Sequence, residues 1–216
     1  NHMAFELQES CVIEDEVQIV GTLDFSEGTE AHAKFPFKSM LTMSVTIKYD
    51  SVKVSYTVEN KEDKALPYGI ALHPFFMKLG KSLCKTSAKS LMEMTEEKLP
   101  TGELIDIKGS LYDLSEYIDI ESVQLDHVYT GIEEVPQAEI LYPEIGLKVE
   151  LESSKEFTHL VVFTPANQDF FCIENQSCST NAHNMYAKGF EEVSGLEIVQ
   201  PHTSKKGYIN YKFKYL

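Results

Sequence analysis

An all-β chain folded as a twisted antiparallel β-sandwich is what this sequence predicts, and three observations predict it. Apolar and polar residues alternate with a period of two over several stretches, turn signals punctuate the middle of the chain, and helical spacing is nearly missing. With 216 residues, 43% of them hydrophobic, one sizeable core is within reach, so a single domain over residues 1–216 is expected.

The elements follow in chain order. The acidic run Glu14-Asp15-Glu16 reads as a solvated turn. Leu41, Met43, Val45 and Ile47 alternate with Thr42, Ser44, Thr46 and Lys48, the mark of a strand with one buried and one wet face. Val52, Val54, Tyr56 and Val58 repeat the pattern, and Tyr49-Asp50-Ser51 between the two runs predicts a tight hairpin. Pro100-Thr101-Gly102, Pro136-Gln137 and Tyr142-Pro143-Glu144 read as turns, and Leu111, Leu114 and Tyr117 as one short helix at most. Leu147, Val149 and Leu151 alternate again. Leu160-Val161-Val162-Phe163 is continuous, as in a strand buried on both faces, and Tyr211, Phe213 and Tyr215 close the chain as a last strand.

Charge and composition exclude several classes of function. A net charge of −15 repels phosphate backbones and anionic lipid, so neither nucleic acid nor a membrane is an expected partner. There is no arginine, which removes the usual bidentate grip on phosphate or carboxylate and favours a neutral ligand. Cys11, Cys84, Cys172 and Cys178 match no zinc spacing, no stretch is long and apolar enough to span a bilayer, and no signal peptide is evident. These readings predict a cytoplasmic protein with reduced thiols. Asn175-Gln176-Ser177 fits a glycosylation sequon that has no meaning there.

Two segments carry proton-transfer chemistry. Ala71-Leu72-His73-Pro74-Phe75-Phe76 and Phe171-Cys172-Ile173-Glu174-Asn175-Gln176 each set a titratable side chain in an apolar, strand-like run. A histidine and a glutamate acting together can give a proton to one atom and take one from another. Taken alone, His73 reads as a structural histidine and Glu174 as a residue on the solvent face of its strand. Asp126 reads as a turn opener, and His183 lies close enough to Glu174 in sequence to matter.

The run Val58 to Phe76, with Asn60, Leu66-Pro67-Tyr68-Gly69 and His73 before an aromatic pair, resembles the aldose 1-epimerase (galactose mutarotase-like) family. Leu125-Asp126-His127-Val128-Tyr129-Thr130-Gly131, Val162-Phe163-Thr164-Pro165 with Phe171 to Glu174, and Asn181-Ala182-His183-Asn184 resemble further family segments in the same order, over roughly residues 33 to 216. The resemblance implies one galactose mutarotase-like carbohydrate-binding domain. It implies His73 and Glu174 as catalytic acid and base, Asp126, Phe75 and His2 as sugar-binding residues, and a neutral aldohexose as substrate without metal or cofactor. Glu174 would take the anomeric hydroxyl proton while His73 protonates the ring oxygen, and a pyranose ring would fit between the two.

The departures are specific. Family members are usually longer, with N-terminal strands that supply an arginine and a second histidine; this chain is a short form or lacks those strands. Met3 rather than glycine follows His2, and the start Asn1-His2-Met3 equally fits a cloning remnant. Asn175 replaces the proline that often follows the glutamate. Two alternatives stay open beside the mutarotase: a non-catalytic carbohydrate-binding or regulatory module of the same fold, and a sugar-phosphate epimerase, which the missing arginines weigh against. The particular sugar and the oligomeric state stay open as well.

Overall fold

A computed structural model describes residues 3–216, so His2 lies outside the described residues. About 49% of the chain is strand and 10% helix, and the strand pairs run antiparallel. The chain divides into two compact units, one made of residues up to Tyr68 with Ile198–Tyr211, the other of Gly69–Glu197 with Lys212–Leu216.

The first unit is a meander of β1 (Glu6–Ile13), β2 (Glu16–Asp24), β3 (Ser39–Lys48) and β4 (Ser51–Asn60), with helix α1 (Glu30–Lys34) between β2 and β3. The predicted hairpin is a two-residue turn, because Lys48 pairs with Ser51 around Tyr49 and Asp50. The acidic run is indeed a turn, with Ile13 pairing Glu16 and Glu16 reaching Lys48 at 3.0 Å. Registry then sorts the side chains. Val17, Ile47 and Val52 share one row, Ile19, Val45 and Val54 the next, and Leu23, Leu41 and Val58 another, all on one face. Val12, Val17, Ile19 and Ile47 are exposed at the far end of that apolar face, and Leu7 is exposed on the edge strand β1. Asn60 closes β4 from a buried position. Its amide donates to the carbonyls of Lys64 (2.8 Å) and Val199 (3.0 Å), and its oxygen accepts the Glu62 N–H (3.0 Å). That grip shapes the polar turn leading to β5 (Leu66–Tyr68).

The second unit is a two-layer sandwich. Its strands are β6 (Phe76–Met77), β7 (Leu83–Thr86), β8 (Ser90–Met94), β9 (Pro100–Asp106), β10 (Ile118–Asp119), β11 (Asp126–Thr130), β12 (Ala138–Tyr142), β13 (Leu147–Ser153), β14 (His159–Phe163) and β15 (Phe170–Gln176). Helices α2 (Ala182–Ala187) and α3 (Glu191–Ser194) follow, then β16 (Glu197–Val199) and β17 (Ser204–Tyr215). One layer has the order β6-β15-β14-β11-β8-β9; the other runs β13-β12-β7-β10 and is joined by the end of β17, whose Lys212 and Lys214 reach Glu152 and Glu150 of β13.

Phe171, Ile173, Leu160, Val162, Tyr129 and Leu91 form the inner face of the first layer, and Ile140, Val149, Leu151 and Cys84 that of the second, all fully buried. The Asn175 amide donates across the layers to Ser153 Oγ at 3.3 Å, so the asparagine of the sequon is sealed inside the protein. On the outer side of the six-stranded layer, Met185, Phe190 and Val193 of the α2–α3 segment pack over Met92, Met94, Val128 and Val161.

Two local expectations are corrected. Leu111 to Tyr117 form turns rather than a helix, because Asp113 accepts the N–H groups of Gly109 (2.8 Å) and Ser115 (3.0 Å) and Ser110 accepts that of Tyr112 (3.1 Å). Pro100-Thr101-Gly102 opens β9 instead of turning. The turn falls earlier, at Thr95–Lys98, and Pro100 occupies the first strand position, where a missing N–H costs no ladder bond.

Candidate active site

Register brings His73 and Glu174 together. The segment after β5 runs along β15: Ile70 donates to Ser177 Oγ (2.9 Å), Ser177 donates to the Ile70 carbonyl (2.9 Å), Ala71 faces Gln176, and Leu72 donates to the Asn175 carbonyl (3.3 Å). Beyond the break, Phe76 faces Phe171 in the same register. His73 therefore stands opposite Glu174. Pro74, having no N–H, interrupts the ladder beside it and frees the histidine from strand geometry. Gly69 makes the approach possible, since a Cβ there would lie 2.2 Å from Cys178 Sγ.

Glu174 alternates to the outer face of β15 with Phe170, Cys172 and Gln176, while Phe171, Ile173 and Asn175 point into the core. On an outer face it is nonetheless only 7% exposed. His73 Nε2 approaches Glu174 Oε2 at 3.7 Å, and the Gln176 amide donates to Glu174 Oε1 at 3.0 Å. The His73 side chain stays half exposed and stacks on Phe75 at 4.8 Å, and Phe75 meets Phe170 edge-on at 5.0 Å. Burial pushes the Cys172 thiol up to about 11, so it stays a neutral neighbour of the carboxylate.

Asp126 shares this face. It pairs through Phe163 to Cys172, whereas Glu174 pairs through Val161 to Val128, which sets Asp126 two strands and two residues away. That offset corresponds to about 12 Å between Cα atoms. Its carboxylate is bound by Lys98, and its N–H donates to His127 Nδ1 at 3.1 Å, a bond that needs a neutral ring. Burial lowers the His127 pKa and favours that neutral form. Among the described residues, no three His, Cys, Asp or Glu side chains come together as metal ligands would.

Residues 1–212 match the family model for aldose 1-epimerase. The chain belongs to the aldose 1-epimerase family. Solved structures agree on the fold. A galactose mutarotase-like protein from Clostridium acetobutylicum superposes with a TM-score of 0.82 at 19% identity, over 98% of this chain and 67% of that one. A protein from Synechocystis sp. PCC 6803 gives 0.76 at 24% identity, over 98% and 66%. A galactose 1-epimerase from Lactobacillus acidophilus NCFM gives 0.77 at 12% identity, over 98% and 66%. The chain thus spans about two thirds of the length of these members of the fold.

Within this aldose 1-epimerase fold, the structure gathers His73, Glu174 and Phe75 and leaves Asp126 on the same face at a distance. One expectation is corrected. At 3.7 Å the imidazole and carboxylate stand too close for a pyranose ring, because the register sets them directly opposite with no spacer between. Sequence reasoning missed Gln176 and Lys98. The first was legible, since two residues along a strand return to the same face; the second lies 28 positions from its partner and gave no local signal.

Proposed function

We propose that this protein is an aldose 1-epimerase that interconverts the α and β anomers of a free, neutral aldohexose. The observation that carries the reading is the shared register that sets His73 opposite a buried Glu174 on one sheet face. Glu174, ionised, takes the proton from the anomeric hydroxyl while His73, protonated, delivers one to the ring oxygen. The C1–O5 bond breaks, the aldehyde rotates, and attack by the O5 hydroxyl on the other face closes the ring. In closure the roles reverse: His73 takes the O5 proton back, and Glu174 returns its proton to O1. Sugar entry parts the two side chains, a motion that the exposure of His73 and the break at Pro74 allow.

Asp126 accepts sugar hydroxyls beside Lys98, and Phe75 offers an apolar edge to C–H groups. A net charge of −15 and the absence of arginine support a neutral sugar over its phosphate. Four free cysteines support a reducing, cytoplasmic setting. The direct contact of His73 with Glu174 favours a second reading, a carbohydrate-binding module without turnover. Following fresh α-glucose and α-galactose by NMR with catalytic amounts of protein separates the two. Exchange faster than buffer supports the epimerase. Saturable sugar binding with exchange at the buffer rate supports the module.

A further inference from the structure

Beside Glu174, on the side away from Asp126, lies a cavity of about 350 Å³. Gly69, Ile70 and Ala71 line it from one side, and Gln176, Ser179 and Thr180 are among the residues opposite. Asn181, His183 and Asn184 at the start of α2 add polar groups to the same wall. The volume is at the lower end of the ~300–1,000 Å³ typical of small-molecule pockets, enough for one ring.

Two buried oxygens set this cavity apart. Gln176 spends its amide N–H on Glu174, and its Oε1 is buried without a partner. Ser179 is only 3% exposed, its backbone N–H is fixed by the Ser194 carbonyl at 2.9 Å, and its Oγ also has no partner. Buried polar oxygens are normally satisfied, and both residues that carry these orphans line one cavity, so a small side-chain rotation would offer each oxygen to a ligand that brings hydroxyl groups. Neither lysine nor arginine lines the cavity, so the ligand carries no negative charge there. Ile70, Ala71 and Cys178 supply apolar surface for C–H groups. Through Gln176 the cavity shares a wall with the acid–base pair, and a ring seated in it adjoins a ring at Glu174.

We infer that this cavity is a second sugar subsite, and that the preferred ligand is a neutral reducing disaccharide. Its reducing ring lies at His73 and Glu174, and its second ring donates to Gln176 Oε1 and exchanges a hydrogen bond with Ser179 Oγ. The inference rests on the sugar-binding reading above but does not require turnover.

Calorimetric titration with glucose, maltose, cellobiose and lactose tests it. Two added hydrogen bonds of ordinary strength should make at least one disaccharide bind about tenfold more tightly than glucose. Thr180 is exposed at the cavity rim, so Thr180→Tyr fills the space without touching the core, and Ser179→Ala removes one hydroxyl. Both variants should bring the disaccharide-to-glucose affinity ratio towards one, with circular dichroism confirming that each is folded. Should every disaccharide bind within twofold of glucose, or should the ratio survive Thr180→Tyr, the subsite is refuted. Anomer exchange of glucose, measured in parallel, reports on the proposed reaction alone. A Thr180-dependent preference in a protein that fails to turn over would sink the epimerase and keep the subsite.

Discussion

Mild acid should loosen this fold through one histidine. His159 starts β14 and is fully buried; its Nε2 faces the Val193 carbonyl of α3 at 3.1 Å and its Nδ1 the Thr158 hydroxyl at 2.8 Å. A carbonyl can only accept, so the ring's single proton belongs on Nε2. Burial pushes the imidazole down from an ordinary 6.5 to about 4. The folded state thus holds it neutral, while the unfolded chain takes up a proton below 6.5. Stability is complete above that value and is lost as pH falls towards 4.

Between about pH 7.5 and about pH 5 the proton-binding difference removes about 2 kcal/mol. The carboxylates held low by lysines, Glu139 and Glu150 among them, lose their contribution mainly in stronger acid, and His127, also held down by burial, titrates alike in wild type and variant, so the difference between the two proteins isolates His159. The chain has no tryptophan, and urea unfolding is best followed by far-UV circular dichroism or tyrosine fluorescence. Across the window the wild type should lose the stated amount more than His159→Gln, which has no titrating group at this position. The fading net negative charge acts on both proteins alike and cancels in the comparison. A wild-type curve flat between the two pH values, or an equal slope in the variant, would refute the reasoning.

Three further outcomes are expected. Glu174→Gln keeps shape and the Gln176 contact, and His73→Asn keeps polarity, so each should slow anomer exchange by ~10²–10⁴-fold in an NMR assay while thermal melting barely shifts. Equal loss of rate and folding would return both residues to a structural role. Phe75→Ala should weaken sugar binding by a few-fold in titration and leave the melting temperature near wild type, because Phe75 is 61% exposed. Gly69→Ala should lower the urea midpoint, since the new methyl would meet Cys178 Sγ at 2.2 Å; a Gly69→Ala, Cys178→Ala double variant should recover most of the loss.

What the sequence reveals is what one strand can carry. The alternation from Leu41 to Val58 announces β3, β4 and the Tyr49–Asp50 turn because the period of two is a local property. His73 and Glu174 stand out in the sequence as titratable side chains in apolar runs, and the face of Glu174 follows from alternation with Ile173. Its burial does not, because the cover comes from a different segment. Asp126 is visible, its Lys98 partner is not, for lack of any local link between them. Helices α2 and α3 span six and four residues, too short to show a 3.6 period, so the layer over Val128 and Val161 has no signature in the chain. β1 and β2 escaped because Glu9 and Ser10 dilute the alternation of β1 beside a bulge between Leu7 and Glu9, and Val20 and Gly21 break that of β2.

The pairing of Ala71 with Gln176 and of Phe76 with Phe171 has an evolutionary consequence. The separation of His73 from Glu174 is set by backbone hydrogen bonds to a single strand, which any side chain except proline can make. Mutation can thus rewrite the loops, the helices and most of the outer face without moving the proposed acid–base pair apart. The wall around them is free to drift, so the proposed proton transfer can outlast a change of sugar in a lineage.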